Sequence, residues 1–131
     1  SEHMKVIFTN GCFDVIHRGH VELLKYCRQA GDRVVIGLNS DKSVKGLKGE
    51  NRPYNSEHDR KFILESLKYV DEVYIFDDPT PYNLIQEIKP DLIVKGGDYK
   101  PENVVGNDLC DVEIFNFING YSTTITLDKM K

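Results

Sequence analysis

Short apolar segments alternate with amphipathic segments along most of this 131-residue chain. The apolar segments predict strands at residues 6–9, 33–38, 72–76, 92–95 and 113–117. The amphipathic segments predict helices at residues 19–30, 57–69, 81–88 and 102–109, with a last helix starting near Ser122. Strands separated by helices form βαβ units, whose parallel strands are covered on both sides. The sequence therefore predicts an α/β fold: a Rossmann-like, doubly wound, five-stranded parallel sheet with helices on both faces.

Length and charge set limits on the class of protein. We interpret residues 1–4 as a cloning remnant ending at a native start, Met4, and expect residues 5–131 to form a single domain. No apolar run approaches the roughly 20 residues that span a bilayer, so we expect a cytoplasmic protein without a membrane partner. A net charge of −4 argues against a nucleic-acid partner, which favours a basic surface.

The three cysteines do not form a recognisable pattern. Cys12, Cys27 and Cys110 are odd in number, widely spaced and without a Cys-x-x-Cys pair. This spacing fits neither a disulfide framework nor a zinc site, so we expect three small buried residues.

Two histidines, His17 and His20, lie where the first predicted strand gives way to the first predicted helix. Residues three apart share a face of a helical turn, so both imidazoles can point at one object. A helix start exposes unpaired backbone N–H groups and the positive end of the helix dipole, and Gly19 allows a ligand to approach the backbone closely. This arrangement suits a phosphate chain. A helix start that simply carries two surface histidines is the alternative that these residues alone leave open.

The segment 39–55 departs from the alternation because it is polar and contains glycine. It carries four cations in an otherwise acidic chain: Lys42, Lys45, Lys48 and Arg52. We expect a loop of this length in a compact domain to be a lid that clamps a phosphate-bearing substrate. A solvated surface loop without a ligand is the alternative.

Two further segments follow predicted strands. Lys95, Gly97 and Asp98 belong to a glycine-rich turn, where the backbone can approach a ligand and the charged side chains can contact phosphate, sugar hydroxyl or base. A glycine turn without a ligand is the alternative. Near the carboxyl terminus, a helix start offers hydroxyl and N–H groups that suit a triphosphate tail: Ser122, Thr123 and Thr124.

Together these motifs resemble the nucleotidyltransferase superfamily marked by His-x-Gly-His, the cytidylyltransferase-like enzymes. The resemblance runs from residue 5 to residue 124. Its details favour the heptose-1-phosphate adenylyltransferase domain of ADP-heptose synthase, on residues 11–14, 47–53, 94–102 and 119–124. The chain departs from glycerol-3-phosphate cytidylyltransferase at Phe117, where that enzyme carries an arginine. Bifunctional ADP-heptose synthases also carry a sugar kinase domain, which this sequence does not contain. We therefore expect either a stand-alone transferase whose substrate a separate kinase supplies, or a relative that acts on a different sugar.

The resemblance implies a nucleotidyltransferase that joins a nucleoside triphosphate, expected to be ATP, to a sugar phosphate, expected to be D-glycero-D-manno-heptose 1-phosphate. Pyrophosphate is released, and the implied catalytic residues are His17, His20 and Lys48. The implied nucleotide- and phosphate-binding residues are Gly11, Cys12, Phe13, Gly19, Arg60, Lys95, Gly97, Asp98, Ser122, Thr123 and Thr124. The implied sugar phosphate-binding residues are Asp14, Lys45 and Arg52.

The resemblance also implies a Mg²⁺ ion held by the substrate phosphates, with Asp14 as the nearest carboxylate and no dedicated protein metal site. By the same analogy we expect a homodimer. Two alternatives stay open. One is a CTP-dependent cytidylyltransferase acting on glycerol 3-phosphate or another polyol phosphate. The other, from a different class, is a catalytically silent nucleotide-binding module.

Overall fold

The structure, a computed structural model, describes residues 3–116. Its strands are β1 (Val6–Gly11), β2 (Arg33–Asn39), β3 (Glu72–Phe76), β4 (Leu92–Gly96) and β5 (Asp111–Phe115). They form one parallel sheet in the order β3-β2-β1-β4-β5. The predicted five-stranded, Rossmann-like α/β fold is confirmed.

Helices pack on both faces of this sheet. They are α1 (Arg18–Ala30), α2 (Asp41–Lys48), α3 (Glu57–Glu65) and α4 (Tyr82–Ile88). Successive β1 residues point to opposite faces, so Ile7 packs with Leu23 of α1 while Phe8 packs with Ile85 of α4. Leu64 of α3 is buried on the α1 side. None of the helices among residues 3–116 has the length and apolar character needed to cross a bilayer.

A crevice lies beyond the carboxyl ends of β1 and β4, at the edge of the sheet. The chain winds outward from β1 in both directions, so the strand order reverses between β1 and β4. Cα pairing between these two strands stops after Phe8 and Ile93, whereas β1 and β2 stay paired as far as Gly11. Ligands of open α/β sheets bind at such a reversal, because the connections leave room there.

The segment 39–55 is not a continuous loop, and this part of the prediction was wrong. Residues 41–48 form helix α2, in which Ser40 caps the N-terminus by accepting a hydrogen bond from the Ser43 N–H. Lys45 and Lys48 lie in the last turn, where cations complement the helix dipole. Glycine and polar residues concealed this helix, because only Val44 is fully buried against the sheet.

The helix predicted at residues 102–109 is also absent. Residues 101–103 form a short 3₁₀ turn and further turns follow, partly because Gly106 has a φ of +97° that ends any regular helix. A Cβ at Gly106 would lie 2.7 Å from Cδ1 of Ile93, so this backbone packs directly on the core. Helix α3 ends four residues earlier than expected, at Glu65. The helix predicted near Ser122 lies outside the described residues.

Candidate active site

A cavity of about 450 Å³ opens at the crevice between β1 and β4. This volume is in the range of small-molecule sites. Residues from four parts of the chain line it, including these predicted site residues: Gly11, Cys12, Phe13, Asp14, His17, His20, Lys48, Arg52 and Lys95. The fold thus brings together the histidine motif, the end of α2, Arg52 and the carboxyl end of β4.

The two histidines form a reciprocal cap at the start of α1. Nδ1 of His17 accepts a hydrogen bond from the Gly19 N–H at 3.0 Å, and Nδ1 of His20 accepts from the His17 N–H at 3.2 Å. The rings are 4.0 Å apart, and Phe13 packs against the His20 ring at 5.2 Å, measured between ring centroids. The Gly19 N–H, expected to face a phosphate, is therefore engaged by His17.

This cap fixes the protonation of both imidazoles. A ring nitrogen that accepts a backbone N–H carries no proton, so a neutral ring bears its proton on Nε2. Burial lowers the pKa of His17, and burial followed by the nearby charges of His17 and Lys48 lowers the pKa of His20 to about 4. Both rings are therefore neutral Nε2–H donors near pH 7.

The lowered histidine pKa values predict a specific acid sensitivity of stability. Unfolding returns the pKa of His20 from about 4 to about 6.5, so the unfolded state binds a proton first as the pH falls. The stabilising contribution of neutral His20 is complete above about pH 6.5 and disappears between that value and about pH 4. His20→Asn keeps an acceptor for the His17 N–H and removes the titration. Thermal melts at about pH 7.5 and pH 5 should show a smaller loss of Tm in this variant than in the wild type; equal losses would contradict the assignment.

Three cations line the cavity with the histidines. Lys48 is exposed at the end of α2, and the Arg52 side chain is largely shielded, with its guanidinium 4.6 Å from the centroid of the Tyr54 ring. Burial lowers the pKa of Lys95, an effect partly offset by Cys12 beside it. The amine of Lys95 is 5.2 Å from the Tyr99 ring centroid. Imidazole donors and these cations give the cavity groups that can hydrogen-bond to polyphosphate anions and neutralise their charge.

Asp14 fastens the segment 52–55 to the histidine loop. Its side chain is 2 % exposed, and its carboxylate accepts hydrogen bonds from the backbone N–H groups of Tyr54 (2.7 Å) and Asn55 (2.9 Å) and from Nε of Arg52 (3.2 Å). Burial opposes its ionisation, but these three donors outweigh that effect and lower the pKa of Asp14. Asp14 was expected to contact a sugar phosphate; here its oxygens are already occupied by protein donors.

Replacing Asp14 tests this fastening role. Asp14→Asn keeps one acceptor oxygen but turns an amide N–H₂ towards other donors, which releases Arg52 and the segment beyond it. We expect kcat/KM for the phosphate substrates to fall by up to about 10²-fold, because misplaced binding groups lose orientation. Glu50→Gln removes the same charge from an exposed side chain nearby and is the matched control. Equal kinetics for the two variants would exclude the fastening role.

Arg60 lies in a different place from the one expected. It was expected to reach a nucleotide phosphate, but it is fully buried. Its guanidinium donates hydrogen bonds of 2.7–3.0 Å to the carbonyl oxygens of Asn55, Cys12 and Asn39. A fourth bond, of 2.8 Å, reaches the Asp41 carboxylate at the start of α2. Arg60 therefore ties the ends of β1 and β2, helix α2 and the segment 52–55 to one another.

The remaining predicted residues are distributed around the cavity or beyond the structure. Gly19, Lys45, Gly97 and Asp98 are not among the residues that line it, although Gly97 follows directly after the lining residue Gly96. Ser122, Thr123 and Thr124 lie outside the described residues, as does Phe117. Asn10 also lines the cavity and was not predicted; its position beside Gly11, at the end of β1, is the sequence signal that could have identified it.

Comparison with known proteins identifies the family. The sequence model of the Cytidylyltransferase-like family matches residues 8–125. The chain belongs to the cytidylyltransferase-like family. The resemblance drawn from the histidine motif is thereby confirmed.

Several relatives of this family are similar over almost the whole chain. The Bifunctional protein HldE of Campylobacter concisus (strain 13826) is 55 % identical over 128 residues, which are 97 % of this chain and 27 % of that protein. The protein of the same name from Aliarcobacter butzleri (strain RM4018) is 52 % identical over 128 residues, which are again 97 % of this chain and 27 % of that protein. The chain thus spans little more than a quarter of the length of these curated relatives.

Solved structures show the same fold. The lipopolysaccharide core biosynthesis protein of Thermoplasma volcanium GSS1 superposes with a TM-score of 0.73 at 25 % identity, covering 88 % of this chain and 97 % of that one. A protein of unknown function from Archaeoglobus fulgidus superposes with a TM-score of 0.64 at 15 % identity, covering 86 % of this chain and 99 % of that one. At that identity the second likeness concerns the fold alone.

Proposed function

We propose that this chain is a nucleotidyltransferase that transfers a nucleoside monophosphate from a nucleoside triphosphate to a sugar phosphate. A phosphate oxygen of the sugar phosphate attacks the α-phosphorus, a new P–O bond forms, and the bond from the α-phosphorus to the oxygen bridging to the β-phosphorus breaks. The products are a nucleoside diphosphate sugar and pyrophosphate. No covalent enzyme intermediate is required, because positioning and electrostatic stabilisation supply most of the catalysis in such transfers.

The observation that carries this proposal is the pair of neutral Nε2–H donors at the cavity wall. His17 and His20 are held by their Nδ1 atoms at a helix start, where the dipole also favours anions. Donors fixed before the reaction stabilise the charge that grows on the α-phosphate oxygens without reorganising. Lys48 lines the same cavity and would neutralise the incoming phosphate.

Similarity to known proteins supports the choice of substrates. The chain resembles the heptose-1-phosphate adenylyltransferase domain of ADP-heptose synthase, and its relatives include proteins named HldE. Its fold relative in lipopolysaccharide core biosynthesis also favours a sugar phosphate as acceptor. We therefore propose ATP as donor and D-glycero-D-manno-heptose 1-phosphate as acceptor. The family description, Cytidylyltransferase-like, supports CTP as the donor of a second candidate reaction. Its acceptor would be glycerol 3-phosphate or another polyol phosphate.

Mg²⁺ would enter the site bound to the nucleotide, as part of the substrate. The carboxylate of Asp14 already accepts three protein hydrogen bonds, and among residues 3–116 no three His, Cys, Asp or Glu side chains cluster as a metal site. An ion that keeps most of its waters needs no such cluster, since phosphates hold it. A cytoplasmic location and a homodimer complete the proposal.

A substrate panel tests this function. ATP, CTP, GTP and UTP are each combined with heptose, hexose and polyol phosphates, and pyrophosphate release is measured. We expect the highest kcat/KM for ATP with heptose 1-phosphate. A preference for CTP with glycerol 3-phosphate would change the proposed substrates but leave the proposed type of reaction, nucleotidyl transfer, unchanged. Nucleotide binding without turnover in any combination would overturn the proposal and leave a nucleotide-binding module.

A further inference from the structure

A second, smaller cavity opens beside the first on the side of α4. Its volume is about 130 Å³, and Asn10, Lys95, Tyr99, Asn103 and Val104 are among the residues that line it. Asn10 and Lys95 line both cavities. These two residues stand at the carboxyl ends of the neighbouring strands β1 and β4, so the side cavity, as we call it, continues directly from the main one.

The lining of the side cavity differs in chemistry from that of the main cavity. Two carboxamides and a phenol ring accompany a single cation, whereas the main cavity gathers cations and imidazoles. Among residues 3–116, no protein group hydrogen-bonds to the side-chain amides of Asn10 or Asn103, and the contact of Asn103 with Lys100 is made by its backbone N–H. Each carboxamide offers donors and an acceptor, which match the hydroxyl groups of a neutral ligand. An aromatic face beside them suits the C–H face of a sugar ring.

Core packing and hydrogen bonds hold the turn that contributes Asn103 and Val104 to the side cavity. Val104 is buried in the core cluster that contains Ile85 and Ile93. The side chain of Asn107 donates to the Val104 carbonyl oxygen at 2.7 Å and to that of Glu102 at 3.2 Å. The turn that carries Asn103 is therefore fixed on both sides, and its carboxamide is presented by a rigid backbone.

The Tyr99 ring is positioned by the glycine turn after β4. Gly97 has a φ of +113°, and a Cβ there would lie 3.3 Å from Cε2 of Tyr99. The amine of Lys95 is 5.2 Å from the centroid of the same ring. The ring thus lines the side cavity next to the cation shared with the main cavity, so a ligand ring in the side cavity would have its phosphate near Lys95.

We propose that the side cavity binds a polyhydroxylated ring and that Asn103 and Tyr99 determine specificity for it. With less than a third of the volume of the main cavity, it has room for one ring. The acceptor sugar and the ribose of the nucleotide share this hydroxyl chemistry, and the experiment distinguishes them. This inference rests on the proposed function, because the main cavity must hold the phosphates to which the ring is joined.

Steady-state kinetics of Asn103→Ala and Tyr99→Leu test the inference. Each variant removes a neutral contact to a ring, so we expect KM for one substrate to rise about tenfold while kcat stays near the wild-type value. Asn83→Ala is the matched control, because Asn83 lies on α4 and its amide bonds only to the exposed Asp78 carboxylate among the described residues. The control should leave both KM values unchanged.

Deoxy substrates then identify the ring. If the effect of Asn103→Ala disappears with 2′-deoxy-ATP or 3′-deoxy-ATP, the side cavity holds the ribose. If it disappears with a deoxy sugar phosphate, the cavity holds the acceptor. Unchanged KM values for both substrates in both variants, with an active wild type, would overturn this inference alone.

An inactive wild type would instead overturn the proposed function. In that case calorimetric titration with ATP and with the sugar phosphate still decides the role of the side cavity. Weaker binding of one ligand by Asn103→Ala and Tyr99→Leu, but not by Asn83→Ala, would support a ring site. Equal affinities in the wild type and both variants would exclude it.

Discussion

Replacing His17 with asparagine is expected to lower the rate of pyrophosphate release by about 10²–10³-fold while the protein stays folded. Asparagine is a favoured N-cap residue, and its side-chain oxygen can accept the Gly19 N–H in place of Nδ1. The variant therefore keeps the helix start and loses only the Nε2–H donor. His20→Asn should behave in the same way, because its oxygen replaces the acceptor for the His17 N–H.

The measurement combines initial rates at saturating substrates with thermal melts of the same preparations. His17→Gln and His20→Gln are the complementary variants, since the glutamine amide places an N–H donor near the position of Nε2; we expect them to recover part of the rate. The double variant His17→Ala/His20→Ala should show no measurable turnover. Wild-type turnover in that double variant would exclude the histidines from catalysis.

Removing Arg60 is expected to have the largest effect on stability. Arg60→Ala leaves three carbonyl oxygens and the Asp41 carboxylate without their donor inside the fold. Breaking a buried charge network of this kind costs about 3–5 kcal/mol in the free energy of unfolding. For a domain of this size the Tm should fall by roughly 10–20 °C.

Lys61→Ala is the matched control for Arg60→Ala. Lys61 is the next residue on α3, is partly exposed and pairs with Glu65 at 4.0 Å, so its loss should change stability by less than about 0.5 kcal/mol. The activity of Arg60→Ala also distinguishes a positioning role of Arg60 from direct contact with a nucleotide phosphate. If Arg60 positions the site, activity should follow the folded fraction and recover at low temperature. A catalytic loss with an unchanged Tm would indicate direct contact with the nucleotide.

Much of the fold could be predicted because its signals are local. Ile7, Phe8 and their neighbours form a short apolar run, and such runs alternate with helical patterns along the chain. Helix α2 was missed because its stability comes from the Ser40 cap and one buried side chain, Val44, amid polar residues. The turns around Gly106 were missed because a contact with Ile93, far away in sequence, dictates their backbone.

In the candidate site, too, features with a local sequence signal could be predicted, whereas features that depend on contacts distant in sequence could not. His17 and His20 could be identified because three residues separate them and they contact each other across one helical turn. The roles of Asp14 and Arg60 depend on partners 41 and 48 residues away, Asn55 and Cys12, and on burial that no local pattern encodes. A charged residue in a motif was therefore assigned to the substrate, while its contacts in the fold are with the protein.

Isotope labelling distinguishes attack of a sugar phosphate oxygen on the α-phosphorus from the other possible reactions. Sugar phosphate carrying ¹⁸O in its phosphate group is incubated with the preferred nucleoside triphosphate, and the products are analysed by mass spectrometry. We predict that all label appears in the nucleoside diphosphate sugar and that the pyrophosphate is unlabelled. Labelled inorganic phosphate, or nucleotide hydrolysis without a nucleoside diphosphate sugar, would contradict the proposed reaction.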